Sequence, residues 1–280
     1  MDFISDGIVE FLVSVYKNFF SGINGLYDLA MITPQEWMDG TLWNAVVKFN
    51  KVAVVPIAWV LLAMFLCFEI VHVIDRSQGK GNDQLMLICQ ALLKILIAKA
   101  MLENATVIIA AIFEVASYIM NLGKSILIIK DVNIDPDTSA FVDSFENKGF
   151  WMILASGIEG LILSFAQKIC IIIAEVIIQL RFVEIYAFTA VSGLAFSTFP
   201  SEEYSQIGKN YIKRMIACAL HVVFICAVLF MYIAVISNVS FSGMTNDPTG
   251  ALFSAFGYTI LMIIALFQTS GWSRSLTQAQ

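Results

Sequence analysis

Several ionisable side chains stand inside long apolar stretches. Lys94, Lys99 and Glu103 fall in one stretch, and Lys168, Glu175, Arg181 and Glu184 in another. A charge at the centre of a membrane helix costs about 2.5–3.5 kcal/mol on insertion scales, so each needs a partner or access to water. Lys99 and Glu103 are four positions apart, a spacing at which side chains meet on one helix face. Arg181 and Glu184, three apart, are expected to pair in the same way, and Lys168 and Glu175, seven apart, share a face. Such groups can line a polar conduit or hold a partner within the membrane. Equally, they can neutralise one another in a bundle or across a subunit interface, with Lys94 and Lys168 carrying their ammonium groups outward on long stems. Glu69 and His72, three apart at the end of a further apolar run, have the spacing of a proton relay or of a boundary pair near lipid headgroups.

Other chemistry lacks its parts. The only histidines are His72 and His221, and His221 stands alone in an apolar run as a core histidine would. Cys67, Cys89, Cys170, Cys218 and Cys226 also sit in apolar runs without paired spacing, and are expected as buried, reduced, small hydrophobes. No glycine-rich phosphate loop, zinc ligand set or nucleophilic triad can be assembled. A net charge of −6 leaves no chain-wide basic footprint for nucleic acid. No enzyme activity, cofactor, metal site or small-molecule substrate is expected.

The elements that must position the charges follow from composition. Apolar residues other than glycine fill 59% of the 280 positions and charged residues 14%, against roughly 45–50% (glycine included) and ~25% in soluble domains. The predicted fold is all-α and polytopic, with about five membrane helices. Apolar runs lie at 54–74, 85–122, 150–199, 212–236 and 251–267. The 85–122 run is long enough for one tilted span with an extension, or for two helices that pause near Glu103 and Asn104. The 150–199 run reads as one span preceded by a partly amphipathic helix over 151–168. Residues 3–30 carry Ile4, Ile8, Leu12, Val15, Phe19 and Leu26 at helical spacing among charges, an amphipathic helix for the interface or a partner. Its Asp2, Asp6 and Glu10 stand where a cleavable signal would be basic. Thr33, Pro34 and Glu36 mark a helix start with a capping box, and Pro56 is expected in the first turn of a span.

The chain thereby divides into external or interfacial amphipathic helices (1–51), first membrane helices (52–122), an acidic external loop (123–149), a membrane bundle (150–268) and a short cytoplasmic tail (269–280). Basic residues set the orientation. With 75–84, 199–214 and 269–280 in the cytoplasm, six lysines and arginines fall within 38 positions, against six in 95 over 1–51, 121–150 and 237–250. The amino terminus is expected outside and the carboxyl terminus inside.

The stretch from Arg181 through Glu184, Tyr186 and Ala190 to Thr198 and Phe199 is followed by Tyr204, Ile207, Gly208, Asn210, Tyr211, Lys213 and Arg214. Together they resemble the VirB6/TrbL-like conjugal transfer proteins of mobile elements in Gram-positive bacteria, with a second likeness over Leu93–Lys99 and Leu102–Asn104. Where relatives carry a proline-bearing segment before the Thr-Phe pair, this chain has Ser192, Gly193, Leu194 and Ala195, of which Gly193 permits a bend. The resemblance implies a non-enzymatic platform in the cytoplasmic membrane of a type IV secretion machine. It further implies a homo-oligomer of about five copies, other secretion subunits as partners, and passage of single-stranded DNA with its relaxase. The same intramembrane charges would suit a small-molecule or ion transporter, the competing reading.

Overall fold

Lipid cannot satisfy backbone N–H and C=O groups, so long apolar stretches must satisfy their own by forming helices. The computed structural model describes residues 2–77, 83–126, 149–243 and 248–278, and every regular element among them is helical. The helices are α1 (Asp2–Met31), α2 (Thr41–Phe49), α3 (Val55–Ser77), α4 (Asp83–Glu103), α5 (Ala105–Ile126), α6 (Phe150–Ala190), α7 (Ser192–Ser197), α8 (Ser205–Gly243) and α9 (Pro248–Thr277). Among the described residues, four helical runs are long and apolar enough to cross a bilayer: Trp37–Asp75, Ala105–Gly123, Phe150–Ala190 and Ser205–Val235. The chain is thus an all-α, multi-pass membrane protein. The fifth apolar run, 251–267, lies within α9. Most of the acidic 123–149 loop falls outside the described residues.

Local sequence explains where the helices break. Of the two arrangements open for 85–122, the chain takes two helices with the pause at Asn104, whose amide donates to the Ala100 carbonyl at 2.9 Å. The Thr33 start yields one turn only. Thr33 reaches the Glu36 carboxylate at 2.9 Å, but Met38, Asp39 and Gly40 then take left-handed backbone angles and the helix restarts at Thr41. A side chain at Gly40 would also press on the Gln35 carbonyl, so glycine is required there. Pro56 stands in the first turn of α3 as expected, but α3 is not a fresh start, since α2 runs into it through a π turn, Asn50–Val54. A proline ring inside a helix collides with the carbonyl four residues back, and the wider turn accommodates it. Residues 237–243 continue α8, and 269–277 continue α9.

The described chain forms two compact units. In the first, comprising residues 1–31, 119–180 and 222–271, α1 buries Leu12, Leu26, Tyr27 and Ala30 in a core with Ile178, Ile225, Leu229 and Leu266. Close approach of α1 to α6 uses two glycines. A Cβ on Gly157 would stand 2.8 Å from Ile8, and one on Gly160 would overlap Leu12. In the second unit, residues 32–118, 181–221 and 272–280, Ala58 and Leu62 of α3 pack with Ala98 and Leu102 of α4, flanked by Leu194 and Phe199.

Candidate functional site

The second unit gathers most of the charges singled out from sequence, and it holds them by contacts between helices. Glu69 on α3 is 4% exposed and accepts from Lys94 Nζ of α4 at 2.8 Å and from the Glu202 backbone N–H at 3.1 Å. Lys94 also reaches the Glu202 carboxylate at 3.5 Å. One ammonium between two carboxylates ties α3, α4 and the segment before α8 together. Lys94 therefore does not simply extend to the surface. Glu69 faces Lys94, while His72 lies exposed beside a groove with Phe68, Asp75, Glu203 and Tyr204. Lys99 and Glu103 meet as their spacing predicts, at 4.0 Å and half exposed, a pair worth a few tenths of a kcal/mol.

The expected Arg181–Glu184 pair is replaced by two separate arrangements. Glu184 takes Arg214 of α8 at 3.7 Å and Arg274 of α9 at 3.4 Å, and the Arg214 guanidinium lies over the Phe188 ring at 4.5 Å. Arg181, 2% exposed, donates from Nη2 to the Ile32 carbonyl at 3.2 Å and stacks over Phe182 at 4.4 Å. Phe182 stacks on Trp37 at 4.7 Å and 7°, and the Tyr186 hydroxyl donates to the Pro34 carbonyl at 2.6 Å. Arg181 and Glu184 point to different neighbours because three positions on a helix differ by about 60° in direction, enough to address separate helices in a bundle.

Sequence reasoning missed Asn50. Helix α6 ends at Ala190, and the bend anticipated near Gly193 falls at Val191. Such a break frees carbonyls that hydrocarbon cannot satisfy. Asn50, 1% exposed in the π turn, donates its side-chain amide to the carbonyls of Thr189 (3.1 Å) and Ala190 (2.9 Å) and to Ser192 Oγ (3.0 Å). Tyr211 donates to the Phe188 carbonyl at 2.9 Å. At Gly193 α7 lies against the start of α3 and against α4, where a Cβ would meet Ala58 and Val54 at 3.4 Å and Leu102 at 3.5 Å, ordinary packing distances. The available signal was a polar residue just before an apolar run, next to Pro56.

In the first unit Glu175 accepts from Gln179 one turn on at 3.0 Å, and Lys168 is exposed at a small cavity beside α1. Tyr232 and Thr259 share a hydrogen bond of 2.7 Å. His221 is buried as expected. All five cysteines are free, but only Cys170, Cys218 and Cys226 are buried. Cys67 and Cys89 are exposed on α3 and α4, and Cys67 lies in the Trp37–Asp75 run, where hydrocarbon provides the apolar surroundings that a soluble core would. Among the described residues no group of three or more histidine, cysteine or carboxylate side chains is placed to hold a metal.

Charges matched between helices, a capped helix break and long apolar spans define the class: a multi-pass α-helical membrane subunit. The family model of TrbL/VirB6 plasmid conjugal transfer like proteins matches residues 26–193, more than half of the chain, and the protein belongs to that family. It is a component of the conjugal transfer type IV secretion apparatus. No curated protein and no solved structure matches the chain. The matched region contains the break at Val191 and the Asn50 amide that caps it, whereas Arg214 and Arg274 lie beyond it.

Proposed function

We propose that this chain is a platform subunit of the cytoplasmic membrane in a conjugative type IV secretion machine, with its amino terminus outside and its carboxyl terminus inside. It assembles with copies of itself in a ring of about five and with other secretion subunits, and helps form the path for relaxase-bound single-stranded DNA. The observation that carries this reading is the engagement of Glu69, Lys94 and Glu184 with protein groups on other helices. A transporter must keep its charged groups open to a solute, and Glu69 at 4% exposure already holds Lys94. Charges used in this way hold helices in place, so a passage for a large substrate belongs between copies of the subunit. Helix α6 leaves Ile158, Leu161, Ile162 and Phe165 outward, an apolar stripe at helical spacing for lipid or a neighbouring subunit.

Native mass measurement of the full chain in mild detergent, alongside mating assays in cells, tests the assignment. The expected result is a homo-oligomer, with DNA transfer abolished by deletion and restored by complementation. A strictly monomeric protein that supports transfer would overturn the ring, and specific uptake of a small solute by the purified subunit would favour the transporter.

A further inference from the structure

A small cavity of about 110 Å³ lies between α1 and α6 in the first unit, lined by Phe11, Ser14, Asn18, Ser164, Gln167 and Lys168 among others. That space admits several waters or one small polar group. The donors and acceptors around it are unequal. Ser14 and Ser164 have committed their hydroxyl protons to the Phe11 and Leu161 carbonyls, at 2.7 and 2.9 Å. Gln167 is 2% exposed, and its Nε2 has no hydrogen-bond partner. A buried amide N–H without an acceptor is costly, and native proteins seldom leave one unmet. Lys168 adds a cation, and no carboxylate lines the cavity. The complement of this set is an anion bearing acceptor oxygens.

The apolar length of α6 indicates where such an anion comes from. Lys168 stands within Phe150–Ala190, a helix long and apolar enough to cross a bilayer, so membrane lipid surrounds it. Phospholipids carry such an anion beside acyl chains, and Phe11 and Ile171 supply apolar wall beside the polar groups. We infer that the cavity binds the phosphate of a membrane phospholipid, with the Lys168 ammonium and the Gln167 amide as its donors and the acyl chains running along the outward face of α6. The bound lipid supplies the acceptor that Gln167 lacks and fixes α1 against α6. This inference concerns the single chain and does not depend on the secretion role.

The test uses the full chain in mild detergent, with thermal unfolding and native mass spectra recorded after adding dioleoylphosphatidylglycerol, dioleoylglycerol, or inorganic phosphate. Dioleoylphosphatidylglycerol is expected to raise the unfolding temperature and to remain as a one-to-one adduct, while dioleoylglycerol and inorganic phosphate do neither. Gln167→Leu with Lys168→Leu should weaken the lipid effect about tenfold or more, as loss of charge-assisted hydrogen bonds does, and Lys168→Arg should retain it. Because the double variant removes two groups at once, Gln167→Leu is measured alone. Without lipid it should be at least as stable as the parent, since it no longer carries an unmet donor, and its stabilisation by lipid should be smaller. Equal stabilisation by dioleoylglycerol would reduce the site to an apolar groove. Equal binding of inorganic phosphate would make it a free-anion site, and an undiminished lipid effect in Gln167→Leu with Lys168→Leu would overturn the donor assignment.

Discussion

Replacing Asn50 by leucine keeps the branched four-atom shape of the side chain and removes both N–H donors that the amide directs at the α6 break. Those donors serve the Thr189 and Ala190 carbonyls at 3.1 and 2.9 Å and Ser192 Oγ at 3.0 Å. The Ser192 hydroxyl can rotate to make other hydrogen bonds, but the two backbone carbonyls cannot. Hydrogen bonds between membrane helices average ~0.6 kcal/mol and reach ~1.7, so two of them give about 1–3 kcal/mol. That corresponds to a shift of roughly 5- to 150-fold in the unfolding equilibrium. Asn50→Asp should cost more than Asn50→Leu, since an ionised carboxylate would face carbonyl oxygens and has no proton to donate. Denaturant unfolding in mixed micelles, followed by tryptophan fluorescence, reads both variants. An Asn50→Leu protein within ~0.3 kcal/mol of the parent, or an Asn50→Asp protein as stable as it, would refute the claim that this amide holds the break.

Three further outcomes are expected. Glu184→Gln leaves the Arg214 and Arg274 guanidinium groups facing each other without their shared carboxylate; it should cost about 1 kcal/mol in the same unfolding assay, and Arg274→Gln, which removes the more exposed cation, should cost less. Gly160→Leu forces a side chain into the space of Leu12 and should destabilise the protein by ~1–3 kcal/mol while exposing α1 to limited proteolysis. An unchanged cleavage pattern would count against the docking of α1. Reporter fusions should place residues 80, 207 and 280 in the cytoplasm and residues 137 and 245 outside; a cytoplasmic reporter at 137 would reverse the orientation drawn from the basic loops.

What could be read in the sequence was what is local along a helix. Hydropathy located the spans. The four-residue spacing of Lys99 and Glu103 was enough to predict their contact, and the Asn104 pause was one of two arrangements already visible. Partners distant in sequence were not legible. Lys94 and Glu69 are 25 positions apart, Arg274 and Glu184 are 90, and Asn50 lies 139 from Thr189. Spacing fixes which residues share a face, but the rotation of each helix in the bundle fixes which neighbour that face meets. Arg181 and Glu184 illustrate the difference, since spacing allowed them to pair and packing gave each another partner. Pro56 stands in the first turn of α3 as its position suggested, but the π turn leading into it was not legible, because the carbonyls that Asn50 serves there lie 139 and 140 positions away.

The Glu69 cluster also sets an order for biogenesis. Membrane helices leave the ribosome in sequence, and at roughly 5–20 residues per second Lys94 emerges about 1–5 s after Glu69. Until then the first span holds an unmatched carboxylate in or near the bilayer. Helix α4, with Lys94, Lys99 and Glu103, is in turn a poor candidate to partition alone. Each helix supplies the counter-charge that lowers the other's insertion cost, which makes α3 and α4 a hairpin that enters lipid best as a pair. Glu202, 133 positions after Glu69, arrives about 7–27 s later at the same rate. Its backbone N–H closes a latch on a hairpin already in place.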